Sequence, residues 1–368
     1  MDVLTTTPAD GPAPNPPDGG RLPAGCVDAG PCGVRVRRLP VPRLPGAGIA
    51  YTPALGRVLG AALDAGVDAN PYDVVHAHAS VIAPVAWAGV WAARRRGVRC
   101  VVTCHSVLGA SARLLGATDR ATGWARGEVL VTGVSTVVTD ALHAALPRAA
   151  TGVLPNATDV AWWRAAPPHG RPSRVAAASV PPRPPDELRL VTAMRLARKK
   201  RPLALVEVLA AAARAGAAQG VRVRLVAAGD GPLRAALARA AAARGLGDAL
   251  VLPGWLPRPA LRALYRDADA FVLPSVHESF GIAALEARAA GLPVLGMAGT
   301  GLADFVRDGT NGVLAADDRA LAHAAARLAA DDAWRGALTA ASAAVPPCDF
   351  DWSAVVARHE AAYTGARR

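Results

Sequence analysis

The chain has 368 residues, 52% hydrophobic and 19% charged, enough to bury two cores of ordinary domain size. Its formal net charge is +12, but all except two of its 41 basic residues are arginine and Ala, Gly and Pro abound, so basicity alone does not indicate nucleic acid; with aromatic residues at 4%, base-stacking platforms are scarce. No run of about 18 uncharged apolar residues marks a membrane span, and Met1-Asp2-Val3-Leu4-Thr5 lacks the basic start and apolar run of a signal peptide; a cytoplasmic protein is expected.

In chain order, residues 8 to 33 are rich in Pro and Gly and read as a loop. The clusters Arg35-Val36-Arg37-Arg38 and Arg94-Arg95-Arg96 read as solvated faces, or as peripheral contacts with an anionic membrane, where each Arg adds roughly 1 kcal/mol near the lipid. Tyr72 to His78 reads as a strand ending in two histidines, and Arg99 to Ser106 as another that carries His105 at its end. The carboxyl ends of such strands are where open parallel sheets bind ligands, although a strand-end histidine is often satisfied by hydrogen bonds alone. Five cysteines (26, 32, 100, 104 and 348) form no CxxC pair, and Cys100 and Cys104 flank an apolar strand, so reduced core thiols are expected. Pro167 to Pro185 is too rich in proline to pack and reads as an interdomain linker.

In the second half, Leu188 to Thr192 reads as a strand and Pro202 to Ala218 as a helix with Pro in its first turn. The loop between them holds Arg195 and the chain's only lysines, Lys199 and Lys200. A guanidinium and an ammonium converging on a helix's positive end are well placed to hold a diphosphate. Val221 to Ala227 alternates like a strand and runs into Gly229-Asp230-Gly231-Pro232, which is followed by an Ala- and Arg-rich helix. Ala270-Phe271-Val272-Leu273 reads as a buried strand ended by Pro274-Ser275, so Gly281 falls where a helix begins. Glu278 then sits in the loop at the strand's carboxyl end, and the N–H groups of Phe280, Gly281, Ile282 and Ala283 are free to meet an anion. Glu286 lies one turn into the helix; a carboxylate accepts without donating and suits two adjacent hydroxyls, such as those of a ribose. Two of the chain's six glutamates fall in this one segment. The two D-x-D matches, Asp267-Ala268-Asp269 and Asp349-Phe350-Asp351, end one helix and cap another, and read as structural, with no metal expected.

The wording from His277 to Leu295, HESFGIAALEARAAGLPVL, resembles the E-x7-E element of family 4 of the retaining glycosyltransferases. The resemblance implies the GT-B fold: two Rossmann-like, doubly wound α/β domains facing a cleft. It implies a first domain over 1–160, a linker over 161–187, a nucleotide-sugar domain over 188–346 and a terminal helix over 347–368 that crosses back to the first domain. Family members begin with a strand, a Gly-Gly loop and a helix that precede wording such as Asp2-Val3-Leu4-Thr5-Thr6-Thr7, so the first domain is expected to be incomplete by one βα unit. Arg195 and Lys200 match the R-L-x-x-x-K clamp on the leaving diphosphate. Gly231 matches a turn near the nucleotide and Leu252 an element that lines the base pocket. His105 matches a histidine beside the transferred sugar, and Ser279, Phe280, Gly281, Ile282 and Glu286 belong to the donor site. Gly299-Thr300-Gly301-Leu302-Ala303-Asp304 departs from the usual G-G-x-x-E form, with a shorter acid and one glycine replaced.

On this reading, departure of a nucleoside diphosphate builds negative charge that Arg195, Lys200 and the helix end near Gly281 stabilise, with no cofactor or metal. Glu278 binds sugar hydroxyls, and the hexose moves with retention to a hydroxyl acceptor: a cell-envelope glycan, an inositol phosphate or a lipid. The alternatives are a non-catalytic GT-B remnant that binds nucleotide sugar or a partner, and a basic nucleic-acid binder, for which no motif is present.

Overall fold

The computed structural model describes residues 2–8, 27–29, 35–41, 52–64, 72–80, 83–165 and 180–365. Cys26, Cys32, most of the proline-rich linker and most of the 8–33 loop lie outside them. The chain divides into two compact units: Met1–Gly133 with Thr139–Val153 and Ala361–Arg368, and Val134–Val138 with Leu154–Glu360.

The first unit holds two sheets. β1 (Asp2–Pro8) pairs in parallel with β3 (Arg35–Val41), and a short β2 (Val27–Ala29) pairs antiparallel with β3. A strand therefore lies inside the segment expected to be all loop, and the arginine cluster at 35–38 is strand as well. The second sheet is parallel, in the order β4 (Val74–Ala79), β5 (Arg99–Cys104), β6 (Val129–Gly133), β7 (Ala150–Val153). α1 (Leu55–Asp64) and α2 (Pro84–Arg94) share one apolar cluster with β3, built from Val41, Leu55, Leu59 and Ala92, against which Leu4 of β1 also packs. α3 (Ser111–Thr122) follows β5 and ends on Gly123 in the left-handed conformation, a standard helix stop. α4 (Thr136–Ala145) follows β6.

The second unit opens with α5 (Val160–Arg164) and is built on one six-stranded parallel sheet in the order β10-β9-β8-β11-β12-β13. Its strands are β8 (Glu187–Ala193), β9 (Arg222–Ala228), β10 (Leu250–Gly254), β11 (Ala270–Leu273), β12 (Val294–Met297) and β13 (Gly312–Ala315). The order reverses at β8/β11, the switch point of a doubly wound sheet. β11 and β12 are buried at every position, which is why they read as unbroken apolar runs. The connections are α6 (Ala204–Ala217), α7 (Arg234–Ala242), α8 (Arg258–Arg266), α9 (Ile282–Ala289), α10 (Asp318–Ala330) and α11 (Asp332–Ala344), and the described chain closes with α12 (Trp352–Thr364). Helix starts follow the sequence: Asp317 and Asp331 accept hydrogen bonds from Ala320 N and Trp334 N as N-caps.

Candidate functional site

The sheet's switch point brings the loops after β8 and β11 together. After β8 the chain makes a 3-10 turn over Arg198–Lys200, and Lys200 Nζ reaches Glu278 Oε2 at 2.6 Å. Glu278 is buried, 7% exposed, whereas the Lys200 side chain is half-buried, so the pair has one desolvated and one solvent-reaching partner. Arg201 follows in the left-handed conformation (φ 55°), the one non-glycine residue with positive φ among those described; its guanidinium donates to Pro274 O (2.9 Å) and pairs with Asp318. The β8 and β11 loops are thus tied twice. Arg195 is exposed and makes none of the ion pairs found among the described residues, so its charge faces solvent.

Gly281 sits at the N-cap of α9 with φ 92°, and a Cβ there would meet Leu302 Cδ2 at 2.7 Å. Only glycine fits. The loop is held from the other side by a turn over Gly301–Asp304: Gly301 N donates to Glu278 O at 2.9 Å, and a Cβ on Gly301 would lie 2.3 Å from Ser279 O. Phe280 is 1% exposed and packs on Phe305 and Phe350, which leaves only its backbone for a ligand. Ser279 is half-buried and Ile282 is exposed. The first-turn N–H groups of α9 have no partner within the helix, as at any helix start.

Glu286 lies further along α9, 13% exposed, with Arg258 Nη2 at 3.4 Å from its Oε1. Burial pushes its carboxyl up to about 7, against the opposing pull of Arg258. Gly229 (φ 122°) and Gly231 press the turn after β9 onto the β8 loop, where side chains would strike Met194 O and Leu196 O. Leu252 is half-buried and its carbonyl already accepts from Arg234. Thr300 is 2% exposed and bonds back to Met297 O, while Asp304 Oδ2 accepts from Thr136 N at the start of α4. The shortened acid therefore serves as a helix cap here. Asp267 and Asp269 pair with Arg189 and Arg183 at the opposite end of the sheet, and Asp351 accepts from Val160 N and Ser353 N.

In the first unit, the ends of β4 and β5 carry a chain of polar contacts. Tyr363 of α12 meets His76 Nδ1 at 2.7 Å, His76 Nε2 meets Thr103 Oγ1 at 2.7 Å, and Thr103 meets Thr132 at 2.7 Å. His78 stacks on His76 (centroids 4.3 Å apart) and shares a hydrogen bond with His105 at 2.9 Å. Burial, and then the neighbouring His78, hold His105 below the ordinary histidine range. His76 is absorbed into the sheet, whereas the His78–His105 pair lies at its carboxyl edge. Cys100 and Cys104 are free and buried, with thiols pushed up to about 12 and about 11 by burial, so they are inert core groups.

Sequence reasoning missed Arg258, Trp162 and Trp163. The one signal was Pro257-Arg258-Pro259, an arginine fixed between two prolines at a helix start.

Known proteins carry the same organisation. Residues 1–161 match the family described as Glycosyl transferase 4-like domain, and residues 177–342 that described as Glycosyl transferases group 1. The D-inositol 3-phosphate glycosyltransferase of Thermobispora bispora is 33% identical over 316 residues, 80% of this chain and 71% of that protein. This chain belongs to the glycosyltransferase family that these models and relatives share. A protein of the same description from Catenulispora acidiphila is 33% identical over 85% of this chain and 77% of its own length. That from Streptosporangium roseum is 43% identical over a shorter stretch, 30% of this chain and 26% of the relative. The fold is GT-B. The sucrose-phosphate synthase of Thermosynechococcus elongatus superposes with a TM-score of 0.65 at 23% identity over 99% of this chain and 88% of the synthase. Anabaena HepE, solved with UDP-glucose, does so with a TM-score of 0.68 at 18% identity over 99% of each chain. No helix among the described residues is long and apolar enough to cross a membrane.

Proposed function

We propose that the protein is a family 4 enzyme that transfers a hexose from a nucleoside-diphosphate sugar to a hydroxyl acceptor with retention of anomeric configuration and without a metal. The observation that carries this is the partly desolvated Lys200–Glu278 pair at the sheet's switch point, beside the exposed Arg195 and the start of α9. Cleaving the sugar–phosphate bond leaves charge on the β-phosphate oxygens, and Lys200, Arg195 and the first-turn N–H groups of α9 are preorganised to receive it. Glu278, paired with Lys200 at 2.6 Å, accepts hydrogen bonds from sugar hydroxyls and stabilises the positive character that develops at the anomeric carbon. Glu286 accepts from the ribose. His105, held largely neutral, takes the role of a hydrogen-bonding contact to the sugar or diphosphate.

The names of the relatives favour a cyclitol phosphate as acceptor, within the broader class of cell-envelope precursors. Peripheral contact with an anionic membrane is supported by exposed Trp91 with Arg95 stacked over it at 4.7 Å, next to Arg94 and Arg96. A binding protein without transfer activity is the second reading.

Thermal unfolding of the full chain with UDP, GDP, ADP and TDP, each with and without EDTA, tests the donor site. Saturation at 100 times the dissociation constant adds about 2.7 kcal/mol, and one nucleotide is expected to give that rise whether or not EDTA is present. No rise with any of the four removes the donor-site reading. A rise without sugar transfer to inositol phosphate or lipid extracts supports the second reading.

A further inference from the structure

Glu286 is buried enough that its charge is costly, and the surroundings offer it one counter-charge. Four elements face α9. On α8, Arg258 approaches Glu286 at 3.4 Å, Arg262 is turned away to donate to Trp162 O, and Tyr265 is wholly buried with a phenol pushed up first by burial and then by Glu286 itself. On α5, Arg164 donates to Ala343 O. β11 and β12 carry no titratable side chain, and Arg288 of α9 itself is committed to Ser342 and Val345. Among the described residues, Arg258 is therefore the one cation paired with this carboxylate.

Arg258 is placed there by more than the ion pair. Its guanidinium carbon lies 5.4 Å from the ring centroids of both Trp162 and Trp163. Trp163 is fully buried, donates from Nε1 to Thr158 Oγ1 at 2.8 Å and packs on Tyr265. The flanking prolines fix the backbone where α8 begins. The guanidinium thus rests on an aromatic seat and reaches Glu286 at ion-pair rather than hydrogen-bond distance, which leaves the carboxylate oxygens free to accept.

We propose that Arg258, seated on Trp162 and Trp163, is a positioning residue that supplies the counter-charge to Glu286 while that carboxylate accepts both hydroxyls of the nucleotide's ribose. The inference rests on the donor-site reading above. A diol that donates twice needs an acceptor-only group, and a protonated carboxyl is not one. Because burial holds the Glu286 carboxyl near neutrality, the counter-charge decides which form predominates at neutral pH.

The test is calorimetric titration of UDP into the wild-type chain and the Arg258→Ala, Arg258→Lys and Glu286→Gln variants at about pH 6, 7 and 8.5. The phosphate's own titration is common to all four proteins and cancels in their ratios. Arg258→Ala is expected to bind UDP roughly tenfold more weakly at pH 6 and roughly fivefold at pH 7, the effect of about one unit in the carboxyl's pKa. The deficit shrinks to about threefold or less at pH 8.5, where Glu286 ionises unaided. Arg258→Lys stays within a few-fold of wild type, and Glu286→Gln is weak at every pH. An Arg258→Ala deficit of constant size across the three pH values, or none at all, overturns the inference and leaves the donor-site reading standing. Failure of the wild-type chain to bind any nucleoside diphosphate overturns the reading itself, and this inference with it.

Discussion

The two ends of the second unit's parallel sheet are both crowded with charge, yet they are built to opposite plans. At the amino end, Arg189 is 1% exposed and every guanidinium nitrogen is hydrogen-bonded: Nε to Glu187 Oε1 (2.8 Å), Nη1 to Asp267 Oδ2 (2.5 Å) and Nη2 to Pro181 O (3.0 Å). Arg183 closes the network on both oxygens of Asp269, and Arg224 takes the second oxygen of Glu187. At the carboxyl end, Lys200 and Glu278 are paired once, Arg195 is open to solvent, and Arg258 stands off from Glu286. Density of charge does not make a site. What distinguishes the carboxyl end is donors and acceptors left available within a partly desolvated setting.

That contrast can be broken by mutation. The largest effect is expected from Lys200→Ala: loss of the clamp on the leaving group should lower sugar transfer by roughly 10²–10³-fold, as removal of one transition-state donor does elsewhere, while thermal unfolding moves by only a few degrees. A transfer rate within tenfold of wild type would place the charge stabilisation on other residues. Next comes Arg189→Met at the closed end, which takes from buried Glu187 one of its two cations and from half-exposed Asp267 its partner. Breaking such a network costs about 3–5 kcal/mol, an unfolding temperature lower by something of order 10 °C, with UDP affinity of the folded protein unchanged. A stable Arg189→Met variant that binds UDP poorly would invert the assignment of the two ends. The smallest effect belongs to Arg201→Gly, which relieves a left-handed backbone but gives up the bonds to Pro274 and Asp318. These terms offset, and urea unfolding should show a change of no more than about 1 kcal/mol.

The placement of residues at the carboxyl end was legible in the sequence because its signals are local. Glu278, Gly281 and Lys200 sit at strand-to-helix junctions whose apolar runs and breakers are visible in sequence, and a lysine stands out in a chain otherwise supplied with arginine. The reverse held for Arg258: one arginine among so many carries no signal, and its role depends on α5 and α8 meeting α9 in space. The closed network was half legible. The D-x-D at Asp267 reads correctly as the end of a helix, but Arg183 and Arg189 as its partners follow only from β8 lying beside β11. β2 and β3 were obscured differently, since Pro and Arg dominate the composition around short β-branched positions, and pairing with β1 overrides that local bias.

The contact between the Gly301 turn and the Glu278 loop is backbone against backbone, with Gly301 N on Glu278 O and no room for a side chain at Gly301. Such a joint is insensitive to what the neighbouring side chains become. Thr300 and Asp304 differ from the usual family wording and have turned inward, to Met297 and Thr136, while the carboxylate loop keeps its shape. The position of the Glu278 carboxylate is thus set by main chain against main chain, and a single methyl group added at residue 301 would push away the loop that carries it, whatever side chains surround it.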